Sequence, residues 1–410
     1  MLSLLLERAS TMRSFLQMVA NWGKDQNGSI SQEAFPLDRF GEFSIEEIRI
    51  ERHDRNVPLD FPDLDDQARE KIRQETMKII LTGFDASIPV ALAYNGTNVL
   101  TKLFVAPPVE KHKLVDIVKY EARQTIPFQL SDVEWRWMRV FEHLDHQYED
   151  PFTQAEVAIA AIKKDAASRI LAEAKSSGLN KNPDLLQFET LLLSDFLWSF
   201  YPEFQSLENR KACAFISMHG DHTRLVISNG NKLWQREIPV GGNHLTKAIA
   251  RKEQRTFAAA ERIKTDSESD GQSSEPAAEV IEELRTEIKR SLGFFNSISK
   301  RDGTRVENFL LLGGGFIHRP TEDAVRELMI SEGCSELDLG CVSKHFPELE
   351  TGNNAKVIIP PLMAALQRLG LGKFRMNFAP GGKVFGPKSK VAWGMSFGNR
   401  EIVAVKVRVR

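Results

Sequence analysis

Apolar residues recur with two periods along this chain, and the periods alternate. Leu114, Ile117, Val118 and Ala122 repeat at helical spacing within residues 110–125. Pro127 ends that helix, because the residue before a proline avoids the α region. Upstream, the charged stretch Asp66–Ile80 also reads as helix. Between them, short apolar and β-branched runs from Ile88 to Val105 flank Tyr94-Asn95-Gly96-Thr97, a hairpin-type turn signal. Val157–Ile162 reads as a buried strand, followed by a helix from Lys164 to Ser176 that stops at Gly178. Residues 185–200 are apolar at most positions, which predicts a helix buried on most sides. Ala212–Ser228 and Leu233–Val240 read as a hairpin around Asn229-Gly230. Val280, Leu284, Ile288, Leu292 and Phe295 form one stripe of a long helix, and Phe309–Leu312 is a strand running into three glycines. Such alternation predicts α/β layers, with no repeat of solenoid period. Residues 1–43 show no clear period. Residues 265–278 are acidic, Ser-rich and nearly free of large apolar side chains, which predicts a flexible, solvated insertion.

Charge and composition remove several functions from this picture. Lys and Arg number 54 against 56 Asp and Glu, a net charge of −2, so nucleic acid is not an expected partner. The three cysteines and nine histidines form no metal-ligand spacing, so no metal centre is expected. No apolar run approaches the ~20 residues of a membrane span. The longest, Val357–Leu366, contains Pro360-Pro361. The expected location is the cytoplasm, with any membrane reached through a partner.

Three segments carry candidate chemistry. Pro239-Val240-Gly241-Gly242-Asn243 opens a helix, where backbone N–H groups and the helix dipole favour phosphate. Glu261 and Lys264, at i and i+3, share a helix face and are placed to clamp ribose hydroxyls. Gly313-Gly314-Gly315 after a strand lets backbone approach an adenosine or an anion closely. Taken singly, a glycine pair is more often a tight turn and a Glu–Lys pair usually a solvated face.

In this order and at these distances the segments resemble the actin-like bacterial proteins of the PilM and FtsA families. Glu121-Ala122-Arg123-Gln124-Thr125-Ile126-Pro127-Phe128-Gln129-Leu130 is similar to a segment characteristic of PilM, the type IV pilus assembly component, over a resemblance spanning roughly residues 85–370. The resemblance implies an α/β fold of the actin-like ATPase type (ribonuclease H-like, duplicated), two-lobed with a small inserted subdomain. It implies an ATP cleft, with Mg, lined by Gly220, Thr223, Gly241, Gly242, Glu261, Lys264, Gly313, Gly314 and Gly315. It further implies a groove at Ile126, Pro127 and Phe128 for the cytoplasmic N-terminal peptide of a PilN-like inner-membrane protein, in company with other pilus assembly proteins. The expected organisation is an irregular segment 1–43, a first lobe 44–205 with the subdomain around 85–160, a second lobe 206–372, and a basic tail 373–410. Residues 381–410 carry seven basic residues against one acidic. Their alternation suits either an edge strand or contact with an anionic surface.

Two departures bear on catalysis. The family's opening strand, bearing Asp-x-Gly, is not found in residues 1–43. The second Asp-x-Gly is replaced by Ser217-Met218-His219, leaving Gly220, Asp221 and Thr223 to supply part of the loop. Phosphoryl transfer needs a carboxylate-held Mg²⁺, so no catalytic residue is assigned and a scaffold is expected rather than an enzyme. An ATPase with real turnover and an FtsA-like division adaptor are the alternatives. Lys373-Phe374-Arg375-Met376-Asn377-Phe378-Ala379-Pro380 is similar to the IRINLLP peptide that begins PilN proteins. It reads either as a mimic docking near Ile126-Pro127-Phe128, in the same or a neighbouring molecule, or as a linker.

Overall fold

A computed structural model describes residues 43–53, 64–140 (except 108), 155–205 (except 177, 180 and 181), 209–265 (except 231), 270–349, 355–380 (except 375) and 389–410 (except 399). Expectations for residues 1–42 lie outside the described residues. In chain order the strands are β1 (Phe43–Arg52), β2 (Val90–Tyr94), β3 (Val99–Ala106), β4 (Val133–Arg139), β5 (Ala155–Lys163), β6 (Leu185–Phe188), β7 (Lys211–Met218), β8 (Thr223–Ser228), β9 (Leu233–Ile238), β10 (Arg305–Leu312), β11 (Ser335–Glu336), β12 (Val391–Phe397) and β13 (Glu401–Val409). The helices are α1 (Asp66–Ile80), α2 (Lys111–Thr125), α3 (Lys164–Ser176), α4 (Glu189–Phe200), α5 (Gly242–Lys252), α6 (Phe257–Thr265), α7 (Asp270–Ile298), α8 (Arg319–Ser331), α9 (Gly340–Ser343) and α10 (Ala355–Arg368).

Two five-stranded sheets share one arrangement. In the second lobe the order is β11-β10-β7-β8-β9: an antiparallel meander β7-β8-β9 with β10 parallel to β7 and β11 parallel to β10. In the first lobe the order is β6-β2-β12-β13-β1. Its antiparallel members are β12-β13-β1, with β2 parallel to β12 and β6 parallel to β2. The places held by β7 and β8 in one sheet are therefore held by β12 and β13 in the other, although these follow α10 in the chain. Relative to the second lobe, the first is circularly permuted.

This arrangement corrects several expectations. Residues 391–409 are not a basic tail but two strands in the interior of the first sheet. Alternate residues of β13 serve two cores: Ile402 and Ala404 face one, Val403, Val405 and Val407 the other. The missing opening strand of the first lobe is β12. Residues 270–278 are the first turns of α7 rather than a flexible insertion, because Pro276 and Ala277 are buried against the second lobe. The turn at Tyr94–Thr97 joins no hairpin either. Both edges of β2 are taken, by β12 and β6, so β3 leaves to pair with β5 in the separate sheet β3-β5-β4. That sheet and α2 make the small subdomain, with its own core of Leu114, Val118, Ala122, Val157 and Ile159.

The lobes exchange helices. Every residue of α4 is buried, within a core that also holds Phe215 and Val226 of the second lobe. In return α10, which follows the second sheet, packs on β12, β13 and β2 of the first. Gly394 marks the crossing. A Cβ there would lie 1.7 Å from the carbonyl oxygen of Pro361 and 2.9 Å from the nitrogen of Ala365. His53 ties the β12–β13 turn to the lobe: its backbone N–H donates to the Arg400 carbonyl at 2.8 Å, and its ring bridges Thr76 and the Gly398 carbonyl at 2.9 and 3.0 Å.

Gly394→Ala is expected to destabilise the protein by at least ~2 kcal/mol, since backbone rather than a mobile side chain must yield; chemical denaturation measures the loss. Burial lowers His53 and His318 from 6.5 to about 4, so both enter the fold neutral. Their contribution is complete above pH 6.5 and is lost as pH falls towards 4, on the order of 2 kcal/mol for each. Urea unfolding from pH 7 to 4 should show this slope, and His53→Gln should remove about half of it.

Candidate functional site

A cleft of about 320 Å³ opens between the lobes. From the second lobe it is lined by the β7–β8 turn, the start of α5 and Gly313–Gly315. From the first it is lined by the β12–β13 turn, Tyr94–Asn98 and Arg73. The two hairpin turns are counterparts. Met218 pairs with Thr223 as Phe397 pairs with Ile402, and Ser217 with Arg224 as Ser396 with Val403. Ser396-Phe397-Gly398 thus stands where Ser217-Met218-His219 stands in the other lobe. The counterpart of the strand sought in residues 1–43 is therefore β12, from the far end of the chain. Serine occupies the carboxylate position in both hairpins.

The expected glycines have structural reasons of their own. Gly313 has φ +87°, and a Cβ on it would meet the Met218 carbonyl oxygen at 2.5 Å. On Gly315 it would meet Met218 Cγ at 2.4 Å, and on Gly241 the His222 nitrogen at 2.5 Å. These three let the β7–β8 turn pack against the strand end and the helix start. Gly242 and Gly314 are different, since the nearest atoms to an added Cβ are Lys264 Nζ and Glu401 Oε1, each at 3.5 Å. Both line the cleft. The first turn of α5 does not offer free donors at its leading residues: Gly242 N–H donates to the His219 carbonyl (2.9 Å) and Asn243 N–H to that of Gly220 (2.7 Å). Gly241 N–H is taken by His244 Nδ1 at 3.0 Å.

Glu261 and Lys264 come together as expected but are buried and turned on each other, at 2.6 Å. Lys264 Nζ also donates to the Gly242 carbonyl (3.0 Å) and to Thr246 Oγ1 (2.8 Å), and Arg400 lies 3.1 Å from Glu261. Burial raises the Glu261 carboxyl, but Lys264 and Arg400 outweigh it and hold it below the usual range. Lys264 lines the cleft, with Glu261 held behind it. Thr223, assigned to the site, is fully buried and donates to the Val240 carbonyl at 2.6 Å; it holds the turn and lies apart from the cleft lining. Gly220 lines it. Of the proposed partner residues, Ile126 points into the subdomain core, Pro127 is exposed, and Phe128 is half-buried under Lys163, whose Nζ sits 4.2 Å from the ring centroid.

A buried charge cluster was missed. Arg224 on β8 is fully buried and donates to Glu189 (2.9 Å), Glu237 (2.7 Å) and the Gly96 carbonyl (2.7 Å). His219 joins Glu189 at 3.1 Å. Burial pushes the Glu189 carboxyl up, yet His219 and Arg224 hold it down, to about 2. The signal available was an arginine in the otherwise apolar run Leu225-Val226-Ile227, which demands a buried partner. Glu189 comes from the first lobe, so the cluster spans the base of the cleft.

These residues do not fit a Mg²⁺-bound triphosphate. Glu189 is committed to Arg224 and His219, and Asp221 to His222 at 2.7 Å. Glu401, which opens β13, faces Arg52 at 3.9 Å. Among the described residues no group of three or more His, Cys, Asp or Glu could hold a metal ion. Gly313→Ala should cost about 2–3 kcal/mol from its left-handed backbone alone, whereas Gly314→Ala should stay within ~0.5 kcal/mol; thermal unfolding of the two variants checks the contrast.

Comparison with known proteins follows the same lines. No curated protein sequence matches the chain. Among solved structures, a PilM-PilN type IV pilus biogenesis complex is 20% identical with a TM-score of 0.55, covering 81% of this chain and 98% of that one. Ethanolamine utilization protein EutJ from Carboxydothermus hydrogenoformans is 17% identical, covering 40% of this chain and 55% of that one, at a TM-score of 0.30. Ta0583, an archaeal actin homolog, is 12% identical over 44% of this chain and 54% of its own, at 0.29. The fold is that of the matched chain of the PilM-PilN complex. The family profile described as Type IV pilus assembly protein PilM matches residues 30–332, a span that ends before β12 and β13. This chain belongs to the PilM family of type IV pilus assembly proteins.

Proposed function

We propose that this protein is a cytoplasmic scaffold of a type IV pilus or related secretion machine, and that it holds the cytoplasmic N-terminal peptide of a PilN-like inner-membrane protein. The observation that carries this reading is the match, over 98% of its length, to a chain solved in a PilM-PilN complex. Among the described residues no helix is long and apolar enough to cross a membrane, so attachment through a membrane partner suits the chain. The small subdomain and the neighbouring edge of β6 form the receiving surface. Other assembly proteins, and further copies of the chain, meet its remaining faces.

The cleft supports a structural role over an enzymatic one. Its two hairpins carry Ser217 and Ser396 at matching positions, and its buried carboxylates are neutralised by Arg224, His219 and Lys264. ATP enters this reading as a nucleoside-side ligand at Gly242 and Gly314, with no hydrolytic step. Affinity purification of the tagged chain from native membranes should retain a PilN-like protein, and a chain that never co-fractionates with one overturns the scaffold reading. Turnover of Mg-ATP at ~1 s⁻¹ or faster, an ordinary rate for phosphoryl transfer, would instead establish an enzyme.

A further inference from the structure

Among the described strands, β6 ends its sheet and pairs with β2 alone. A second segment of the same chain lies along its other edge. Phe378 N–H donates to the Leu186 carbonyl at 3.0 Å, and Leu186 N–H donates to Asn377 Oδ1 at 3.1 Å. The same Oδ1 accepts Ala379 N–H at 2.9 Å, and Asn377 Nδ2 donates to the Asp184 carbonyl at 2.8 Å. Gln187 Nε2 reaches the carbonyl of Met376 at 3.1 Å.

The side chains of this segment fill pockets. Phe374, Met376 and Phe378 are 2–3% exposed, all within the core shared by the first sheet and the small subdomain. Phe378 stacks on Phe188 with centroids 4.2 Å apart, and Arg136 of β4 lies 5.9 Å from the same ring. At the entry, the fully buried Asp195 accepts the Lys373 N–H at 3.1 Å, and Gly372 turns with φ +102° because a Cβ would meet the Asp195 carboxylate at 2.4 Å. Main-chain bonds to a strand edge, with alternate side chains in pockets, are the way extended peptides are recognised.

Helix α10 ends beside this edge, where Arg368 lies 3.8 Å from Asp184, and the segment runs on along β6 from there.

We propose that the β6 edge is a site for extended peptides of the pattern apolar-x-apolar-Asn-apolar, and that residues 373–380 are its built-in occupant. Binding of the partner peptide is then an exchange, in which the tail of the membrane protein displaces this segment. The exchange rests on the scaffold reading above; the groove and its own occupant do not. Within this chain the contacts of the segment run along Leu185–Phe188 and Arg136.

The test uses the full chain and a fluorescent synthetic peptide of residues 372–381, read by anisotropy. A chain carrying Asn377→Ala and Phe378→Ser loses the central bonds and the stacked ring, and should bind the peptide at least ~10-fold more tightly than the wild type. Adding Gln187→Ala to that chain should weaken binding again. Equal affinity of the wild type and a cooperatively folding opened chain overturns the proposal. Should the opened chain fail to fold, hydrogen exchange on the wild type decides: a molar excess of the peptide must speed exchange at Phe378 and Ala379, and unchanged protection overturns the proposal. In the opened chain, capture of this peptide but not of a PilN-like tail supports the groove while removing the partner reading.

Discussion

The first lobe depends on β12 being inserted between β2 and β13 from the far end of the chain. Its sheet has no central strand until that happens, and α10 has no floor. Gly394 sets the tolerance of the fit, because the helix backbone passes where a methyl group would be. The β12–β13 turn then reaches the cleft, where His53 holds it from below and Arg400 pairs with Glu261. One long-range insertion therefore completes the sheet, seats the interlobe helix and builds one wall of the cleft.

The second wall is governed by charge. Arg224 and Glu189 belong to different lobes and are removed from water together, a costly arrangement that holds only while each keeps its partners. Arg224 satisfies this by bonding three acceptors, and His219 takes a remaining place on Glu189. The outcome is a carboxylate that is ionised, located beside the β7–β8 turn and already committed to its partners. Glycines next to it follow the same logic: Gly313 and Gly315 make room for Met218 before they make room for any ligand.

Much of the local structure was legible in the chain. The stripe Val280–Phe295 lies within α7, Pro127 follows the end of α2, and Asn229-Gly230 turns β8 into β9. These rest on periods and turn chemistry that a window of a dozen residues contains. The site was legible in part. The order of Gly241-Gly242, Glu261-Lys264 and Gly313–Gly315 led to the cleft, and Gly242, Lys264 and Gly313–Gly315 do line it. Thr223 and Ile126 were assigned by position within motifs, which does not reveal that both side chains point inward. Tyr94–Thr97 looked like a hairpin because turn chemistry is the same whether the next strand folds back or departs to another sheet.

By itself the sequence determined the α/β class, the family, the serine at the second Asp-x-Gly position and the likeness of residues 373–380 to a peptide ligand. It determined these because each is written in neighbouring residues. Only the tertiary structure decided that β12 and β13 are the heart of the first sheet, that Ser396 is the counterpart of Ser217, and that Met376–Phe378 lie on β6. Strand pairing is non-local: β12 and β2 are adjacent in space but some three hundred residues apart in the chain. No local period distinguishes a strand at the edge from one at the centre, and that choice is made by which apolar faces remain to be covered when the lobes close.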